Sequence, residues 1–205
     1  MESNKYLIGA DVGFAHFGLS AFKLDESEGI EFVGSASLIT TKATKASKTR
    51  VDSDNIRRVD EMVYGIERFL RTINPHQSAW GLMFFVSAEF PTGGTQNAKA
   101  AYSFGLGTGL LVTLLRCRNI AYEHVTPDEV KFVSTGRRQK VDKLQVQKGI
   151  EELMRCEGIS FRGKNLTDYL NETYSDKELH EHVADSIAAA YWSMVNSQNY
   201  KAFIS

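Results

Sequence analysis

The run GLMFFVSAEF, residues 81–90, constrains the fold more than any other stretch of the chain. It is continuously apolar over the length of one β-strand, whereas a half-buried strand would alternate apolar and polar residues. A run of this kind is typical of a central strand that is covered on both faces. It therefore predicts a sheet with helices on its faces, and this strand closes on an acid, Glu89.

The segments around this strand predict a mixed five-stranded sheet. KYLIGAD, FGLSAFKL and GIEFVGSASLI are apolar or alternating, and the short joins between them indicate an antiparallel meander. Before and after the central strand we predict a helix from caps at Asp52, Ser53 and Asp54 to about Ile73 and a small-residue helix from Ala98 to about Arg116. A strand IAYEHV follows, then a short helix after the Thr126–Glu129 capping box and a helix from Lys143 to Cys156. An irregular insertion at 158–180 precedes a last helix containing EHVADSIAAAY. This order, βββαβαβαα with a terminal helix, predicts one α/β domain spanning residues 1–205.

The bulk composition indicates a folded protein of a reducing compartment. Two distant cysteines, Cys117 and Cys156, form neither a zinc pattern nor a disulfide framework. The N-terminus lacks a signal-peptide pattern, and no apolar run suggests a membrane span, so we expect a cytoplasmic protein (in the host cytoplasm if the source is viral) with no membrane partner. A net charge of -1 neither supports nor excludes a nucleic-acid partner.

Two acids stand at the ends of the two most apolar predicted strands. Asp11 ends the first strand and Glu89 ends the fourth. If these strands are neighbours, both carboxylates emerge at one edge of the sheet, where their like charges call for a cation. Their hard oxygen ligands favour Mg²⁺ or Mn²⁺ over zinc. The alternative is that each acid only marks where a buried strand returns to water.

The last helix carries a third acid and a histidine. On a helical wheel His182, Asp185, Ser186 and Ser193 fall on one arc, opposite an apolar stripe, and such an arc is typical of a solvated face. The residues around Asp185 are otherwise almost all apolar, which indicates a helix covered on more than one face. An acid in such surroundings needs a partner. The polar arc of this helix is therefore either a solvent-exposed surface or one wall of a metal site.

Five segments in order resemble the RuvC family of Holliday junction resolvases, within the ribonuclease-H-like superfamily, from about Leu7 to Met194. They are LIGADVGFAHFGLSAF, VSAEF, QNAKAAYSFGLGTGLL, YEHVTPDEVKFVSTGRRQKVDKLQVQKGI and HEHVADSIAAAYW. The fourth is the most specific, with its VK pair and its K-x-QVQ helix start. GADVG also resembles the phosphate loop of actin-like ATPases, but that architecture normally needs two such domains, and this chain has room for one.

The resemblance implies a ribonuclease-H-like fold and a metal-dependent active site. In the family pattern Asp11, Glu89 and Asp185 are the catalytic acids that hold divalent metal, Mg²⁺ or Mn²⁺, with two ions expected around one scissile phosphate. His182 matches a position where relatives carry an acid or a histidine, and it is either a fourth metal ligand or a proton-transfer group. The implied reaction is hydrolysis of four-way DNA junctions to 5′-phosphate and 3′-hydroxyl ends by a homodimer, without a small-molecule cofactor.

The resemblance also suggests how the chain would hold DNA. Lys131 and Lys143 match DNA-contacting lysines of relatives, and Arg137, Arg138 and Lys140 lie between them. A long loop with Lys45 and Lys48 is a second expected backbone contact. Phe90 directly follows Glu89, whereas relatives place an aromatic a few residues later, so the residue that stacks on junction bases is shifted or missing.

These departures keep two other functions open. A nuclease that cuts branched DNA broadly, including flaps and forks, is favoured by the Phe90 region and the extra basic loop. A non-catalytic junction-binding protein is the alternative of another class, and the intact set of Asp11, Glu89 and Asp185 argues against it.

Overall fold

The computed structural model describes residues 4–25, 29–44, 50–91 and 98–205, without the side chains of Asp52 and Lys99. Five strands and eight α-helices are assigned in these ranges. The strands are β1 Lys5–Asp11, β2 His16–Asp25, β3 Gly29–Ile39, β4 Phe84–Glu89 and β5 Ala121–Val125. The helices are α1 Val51–Ile73, α2 Trp80–Met83, α3 Ala98–Cys117, α4 Pro127–Thr135, α5 Lys143–Cys156, α6 Leu166–Thr173, α7 Lys177–Asn196 and α8 Gln198–Ile204.

The strands form one mixed sheet in the order β3-β2-β1-β4-β5. The first three strands pair antiparallel as a meander, while β4 runs parallel to both β1 and β5. The predicted antiparallel meander and mixed five-stranded sheet are therefore confirmed. Because β1 and β4 are parallel neighbours, their carboxyl ends lie at the same edge of the sheet.

Each face of the sheet is covered by its own helical layer. On one face α1, α2 and α3 pack over a core that includes Ile8, Phe17, Phe84 and Val86. On the other face α4 to α8 pack over a core built around Leu7, Phe22 and Phe85. Alternate residues of β1 and β4 thus enter opposite cores, which explains why GLMFFVSAEF is apolar throughout.

Helix boundaries follow the predicted capping where its chemistry is complete. Thr126 caps α4, with its side chain accepting a hydrogen bond from Glu129 and the Glu129 carboxylate accepting one from the Thr126 backbone. The α1 start is an error of prediction, because the helix begins at Val51 after Arg50. The Asp54 side chain instead accepts hydrogen bonds from Arg57 and from the backbone of Ala43, so it anchors the preceding loop.

Three other boundaries also differ from the predictions. The first three residues of the long apolar run, Gly81 to Met83, belong to the helical turn α2 and not to β4. The segment 158–180 is not irregular throughout, because it contains α6, which Asn165 caps at its N-terminus. A further helix, α8, follows α7 and buries Tyr200. All three are short, and an apolar run or a few apolar residues do not distinguish one helical turn from a strand or loop.

Helix α3 is more apolar than its position explains. Its segment Ala100–Cys117 is long and apolar enough to cross a membrane by length and composition, contrary to the expectation from the sequence, and only 22% of that segment is buried. The inner side of the helix packs into the core through Leu111, Leu114 and Leu115. Tyr102 is exposed on the opposite side, and Phe104 is exposed near the start of the helix. An apolar helix surface that is left largely uncovered is typical of a surface that meets a partner.

Candidate active site

Asp11 and Glu89 are direct register partners at the carboxyl edge of β1 and β4. The pairing fixes both side chains on the same side of the sheet, since opposite residues of neighbouring strands point the same way. The backbone continues this contact beyond the strands, with the Val12 amide donating to the Glu89 carbonyl at 3.2 Å. The sheet itself therefore brings together the two acids that the sequence places 78 positions apart.

Helix α7 reaches these acids because glycines remove the side chains beneath it. A Cβ added at Gly9 would overlap the carbonyl oxygen of Ser186, and one added at Gly18 would overlap that of His182. The helix backbone thus rests directly on β1 and β2, a contact that no other residue type permits. This close approach carries His182 and Asp185 over the end of β1.

His182 contacts Asp11 directly. Its Nδ1 lies 2.5 Å from Asp11 Oδ2, and the nitrogen donates because an ionised carboxylate can only accept. Burial lowers the pKa of His182, but the hydrogen bond to Asp11 and the negative charges of Asp11 and Asp185 together raise it above its ordinary value. The imidazole therefore has a fixed orientation, with Nδ1 facing the acids.

Glu89 is held in an unfavourable environment. Burial raises its pKa well above the ordinary value, the charges of Asp11 and Asp185 raise it further, and only Lys131 opposes them. Its Oε2 atom is buried and has no hydrogen-bond partner among the described residues. A buried carboxylate oxygen without a partner is rare in folded proteins and calls for a ligand that the chain does not supply.

Asp185 completes the group of acids. Burial, followed by the charge of Asp11, raises its pKa from 3.8 to about 7, against the opposing charges of His182 and Lys143. Three carboxylates thus share one partly buried site, and each makes ionisation of the others harder. The donor set of hard oxygens, with an unsatisfied oxygen on Glu89, fits divalent Mg²⁺ or Mn²⁺.

The raised pKa of Asp185 predicts a pH-dependent stability for the metal-free protein. A carboxyl group with a higher pKa in the folded than in the unfolded chain keeps its proton longer when folded, so the free energy of unfolding falls between about pH 4 and pH 7. At pH 8 in EDTA, we expect Asp185→Asn to raise the free energy of unfolding by about 1–3 kcal/mol. The difference should shrink towards pH 4.5. Urea titrations at the two pH values measure it, and an equal difference at both would contradict the assignment.

Two of the predicted DNA-contacting lysines lie beside the acids. The positive charge of Lys131 lowers the pKa of Glu89, and that of Lys143 lowers the pKa of Asp185. Lys143 also forms an ion pair with Glu181, and this hydrogen bond, together with nearby Asp185 and Asp11, raises the lysine's own pKa. Both cations are therefore placed where a phosphate bound at the acids would meet them.

The other predicted DNA contacts are placed less favourably or lie outside the described residues. Arg137, Arg138 and Lys140 are exposed after α4, where Arg138 stacks over the Phe132 ring at 5.3 Å. Phe90 is only 6% exposed and packs on His124, so its ring belongs to the core and does not face bases. Lys45 and Lys48 lie outside the described residues, as do residues 92–97.

Sequence reasoning missed His16 and Glu178, which lie next to His182. The His16 and His182 rings meet edge to face at 5.2 Å, and His16 Nδ1 is 3.6 Å from a Glu178 carboxylate oxygen. Glu178 and His182 are four residues apart, a spacing that places them on one helix face and that the sequence does show. The contribution of His16 depends on how β2 docks against α7, which no local pattern reveals.

Comparisons with known proteins show the fold to be that of junction resolvases. No protein-family model and no curated protein matches the sequence. Among solved structures, Thermus thermophilus RuvC in complex with a Holliday junction substrate superposes with a TM-score of 0.61 at 14% identity, covering 94% of this chain and 97% of that one. A second structure of Thermus thermophilus RuvC gives a TM-score of 0.57 at 16% identity, over 92% and 96%.

A eukaryotic structure gives the same result. The yeast mitochondrial Holliday junction resolvase Ydc2 superposes with a TM-score of 0.58 at 9% identity, covering 98% of this chain and 82% of that one. The predicted resemblance to RuvC-type resolvases is thus confirmed for the fold, over nearly the whole chain. At these identities the likeness concerns the fold alone.

Proposed function

We propose that this chain is a metal-dependent endonuclease that cuts four-way DNA junctions by phosphodiester hydrolysis. One observation carries the proposal: Asp11, Glu89 and Asp185 converge at one edge of a sheet whose fold is shared with Holliday junction resolvases. A binding protein gains nothing from three carboxylates close to a phosphate, because they repel it. The raised pKa values of Glu89 and Asp185 are a cost to the metal-free fold that a bound cation would remove.

The three acids would hold the metal, and His182 would hold one of the acids. Two divalent ions bound there would supply an activated water and would stabilise the leaving 3′ oxygen. The chain's own contribution is to keep the ligands in place. The Asp11–Glu89 register fixes two carboxylates, the glycine contacts of α7 fix Asp185, and the His182 Nδ1 proton orients Asp11. Lys131 and Lys143 would bind the phosphates that flank the cut.

The substrate class is tested by comparing branched and linear DNA. We expect purified protein in Mg²⁺ to cut synthetic four-way junctions at symmetrically placed sites and to leave 5′-phosphate and 3′-hydroxyl ends. Cutting of flaps and forks at rates similar to junctions would favour the broad debranching nuclease, a reading that the buried Phe90 ring supports. Equal cutting of linear duplex, or no cutting with Mg²⁺ or Mn²⁺, would overturn the proposal.

The DNA contact is tested by the salt dependence of binding. Lys143→Ala should weaken junction binding and reduce the slope of log affinity against log salt by about 1, the value expected for the loss of one phosphate contact. Lys201→Ala is the matched control, because this exposed lysine lies on α8. Fluorescence anisotropy across a salt series measures both slopes. An unchanged slope in Lys143→Ala, or an equal change in the control, would exclude the contact.

Paired cleavage requires two active sites, so we propose a two-fold homodimer that uses the outer face of α3. Tyr102, Gly105 and Gly109 are exposed on this face, and a Cβ added at either glycine would meet nothing within 4 Å among the described residues. The glycines would let a second copy of the helix approach closely. Sedimentation equilibrium should give a dimer that Gly109→Arg dissociates. A wild-type monomer at micromolar concentration would overturn this proposal.

A further inference from the structure

A cluster of two histidines and one glutamate lies beside the acids but is not part of them. One ligand atom from each of His16, Glu178 and His182 lies within 4.8 Å of the other two. The cluster joins the first residue of β2 to the first turns of α7, two segments that are distant in sequence. Its two imidazoles set it apart chemically from the all-oxygen site of Asp11, Glu89 and Asp185.

One ring nitrogen of the cluster makes no hydrogen bond to any described residue. His16 Nδ1 is buried and has no hydrogen-bond partner in the part of the chain that the structure describes. A carboxylate oxygen of Glu178 is 3.6 Å from this nitrogen, which is too long for a hydrogen bond. A buried ring nitrogen without a partner indicates a ligand that the polypeptide does not provide.

The orientation of His182 also suits a metal ligand. Its Nδ1 faces Asp11, so Nε2 is the nitrogen that a metal ion would bind, in place of a proton. Histidines that bind metal characteristically donate their other ring N–H to a carboxylate, which fixes both tautomer and ring angle. The Asp11 carboxylate stands in this position beside Nδ1 of His182, at 2.5 Å.

We propose that His16, Glu178 and His182 form a site for a zinc-like transition-metal ion, separate from the magnesium-type site of the three acids. Two imidazoles and one carboxylate are ligands that Zn²⁺ accepts, with a water in the fourth position, whereas Mg²⁺ prefers oxygen alone. Ligand atoms around a tetrahedral ion stand about 3.5 Å apart for bonds near 2.1 Å. The present atoms lie within 4.8 Å of one another, and Glu178, with a side chain that is 61% exposed, has room to move toward an ion.

The ion would tie the β1–β2 hairpin to α7 and thereby stabilise the fold. Because it binds only when β2 and α7 are docked, it should raise the melting temperature by an amount that grows with the logarithm of the ratio of ion concentration to Kd. It would also hold His182, and through it Asp11, at the edge of the acid group. This inference does not depend on nuclease activity, so it stands or falls separately from the proposed function.

Zinc binding is tested without DNA, in a chain that lacks both thiols and two of the three acids. The background carries Cys117→Ser and Cys156→Ser, because both thiols are exposed, and Glu89→Gln with Asp185→Asn, which disable the acid site. Equilibrium dialysis in excess Mg²⁺ should still find one Zn²⁺ per chain. Adding His16→Ala or Glu178→Gln should lower the zinc affinity at least about 10-fold, while His76→Ala, an exposed histidine, should not.

The geometry and the stabilising effect give second readouts. Co²⁺ in place of Zn²⁺ should produce the visible absorption of a tetrahedral ion, lost in His16→Ala and in Glu178→Gln. Zn²⁺ should raise the melting temperature of the background chain but not that of Glu178→Gln. Because the Glu178 side chain is exposed, this substitution should not disturb folding, so the missing increase would reflect lost zinc binding. The proposal is overturned if zinc does not bind the background chain, or if it binds that chain and both variants with equal affinity. Either result leaves the nuclease proposal untouched.

Discussion

Asp185→Asn should abolish junction cleavage while leaving junction binding intact. Asn keeps the size of the side chain but removes the negative charge that a divalent cation needs at this position. Loss of a group that merely orients a ligand typically costs 10–100-fold, so loss of a ligand itself should cost at least about 100-fold in cleavage rate. Gel-based cleavage in Mg²⁺ and anisotropy binding in EDTA measure the two properties on the same preparation.

The stability of this variant makes the result easy to interpret. Because the ionised Asp185 destabilises the metal-free fold, Asp185→Asn should be at least as stable as the wild type at pH 8. Lost cleavage therefore cannot be attributed to unfolding. Asp168→Asn is a matched control, since Asp168 is an acid of α6 in the same helical layer but outside the acid group. Cleavage by Asp185→Asn at the wild-type rate would show that this residue is not a metal ligand.

Gly9→Ala is expected to be the most destabilising single-methyl change in the sheet. The new methyl group would overlap the Ser186 carbonyl oxygen, and a helix backbone cannot rotate away as a flexible side chain can. Overpacking of a core costs typically 1–3 kcal/mol, so a clash with fixed backbone should reduce the free energy of unfolding by about 3 kcal/mol or more. Urea unfolding followed by circular dichroism measures the loss.

Gly34→Ala is the matched control for this change. Gly34 lies on β3 of the same sheet, and among the described residues a Cβ there would meet only the Arg162 guanidinium, at an ordinary contact distance of 3.8 Å. The control should change the free energy of unfolding by less than about 1 kcal/mol. If the two variants unfold at the same urea concentration, then α7 does not rest on Gly9 as described.

The long elements of the fold were predictable because their patterns have one interpretation. Helix α5 and strands β1 and β3 have the predicted bounds, since each joins a clear periodicity to a clear end signal such as the Asp142 cap of α5. The short elements were not. Helix α6 buries only Leu166, Tyr169 and Leu170, too few residues to establish a period, although Asn165 was a readable cap.

The acid site was only partly predictable from local pattern. Strand ends suggested Asp11 and Glu89, and their pairing needed only that β1 and β4 be neighbours. The wheel of α7 was misleading, because Ser186 and Ser193 on its polar arc are fully buried. Ser193 donates to Ser87, and Ser87 donates to the Ala189 carbonyl, so this arc packs on the sheet through hydrogen bonds. A polar helix face that is buried and one that is exposed to solvent have the same sequence periodicity, so the helical wheel does not distinguish them.

The histidine cluster lay beyond any sequence pattern available here. Glu178 and His182 share a helix face, but nothing near His16 in the chain indicates that it meets them. Their proximity follows from the docking of α7 on β2, which Gly18 permits. Contacts between elements are set by the global packing, whereas capping and periodicity are set within a few residues.

The contact between Asp11 and His182 joins residues 171 positions apart, near opposite ends of the chain. During synthesis, Asp11 emerges long before α7 exists, and the closure of so long a loop precedes any contact between them. No partial chain that ends before α7 can assemble the three acids. Under the proposed function, a growing chain could not cut DNA, and nuclease activity would arise only once α7 has packed on the sheet.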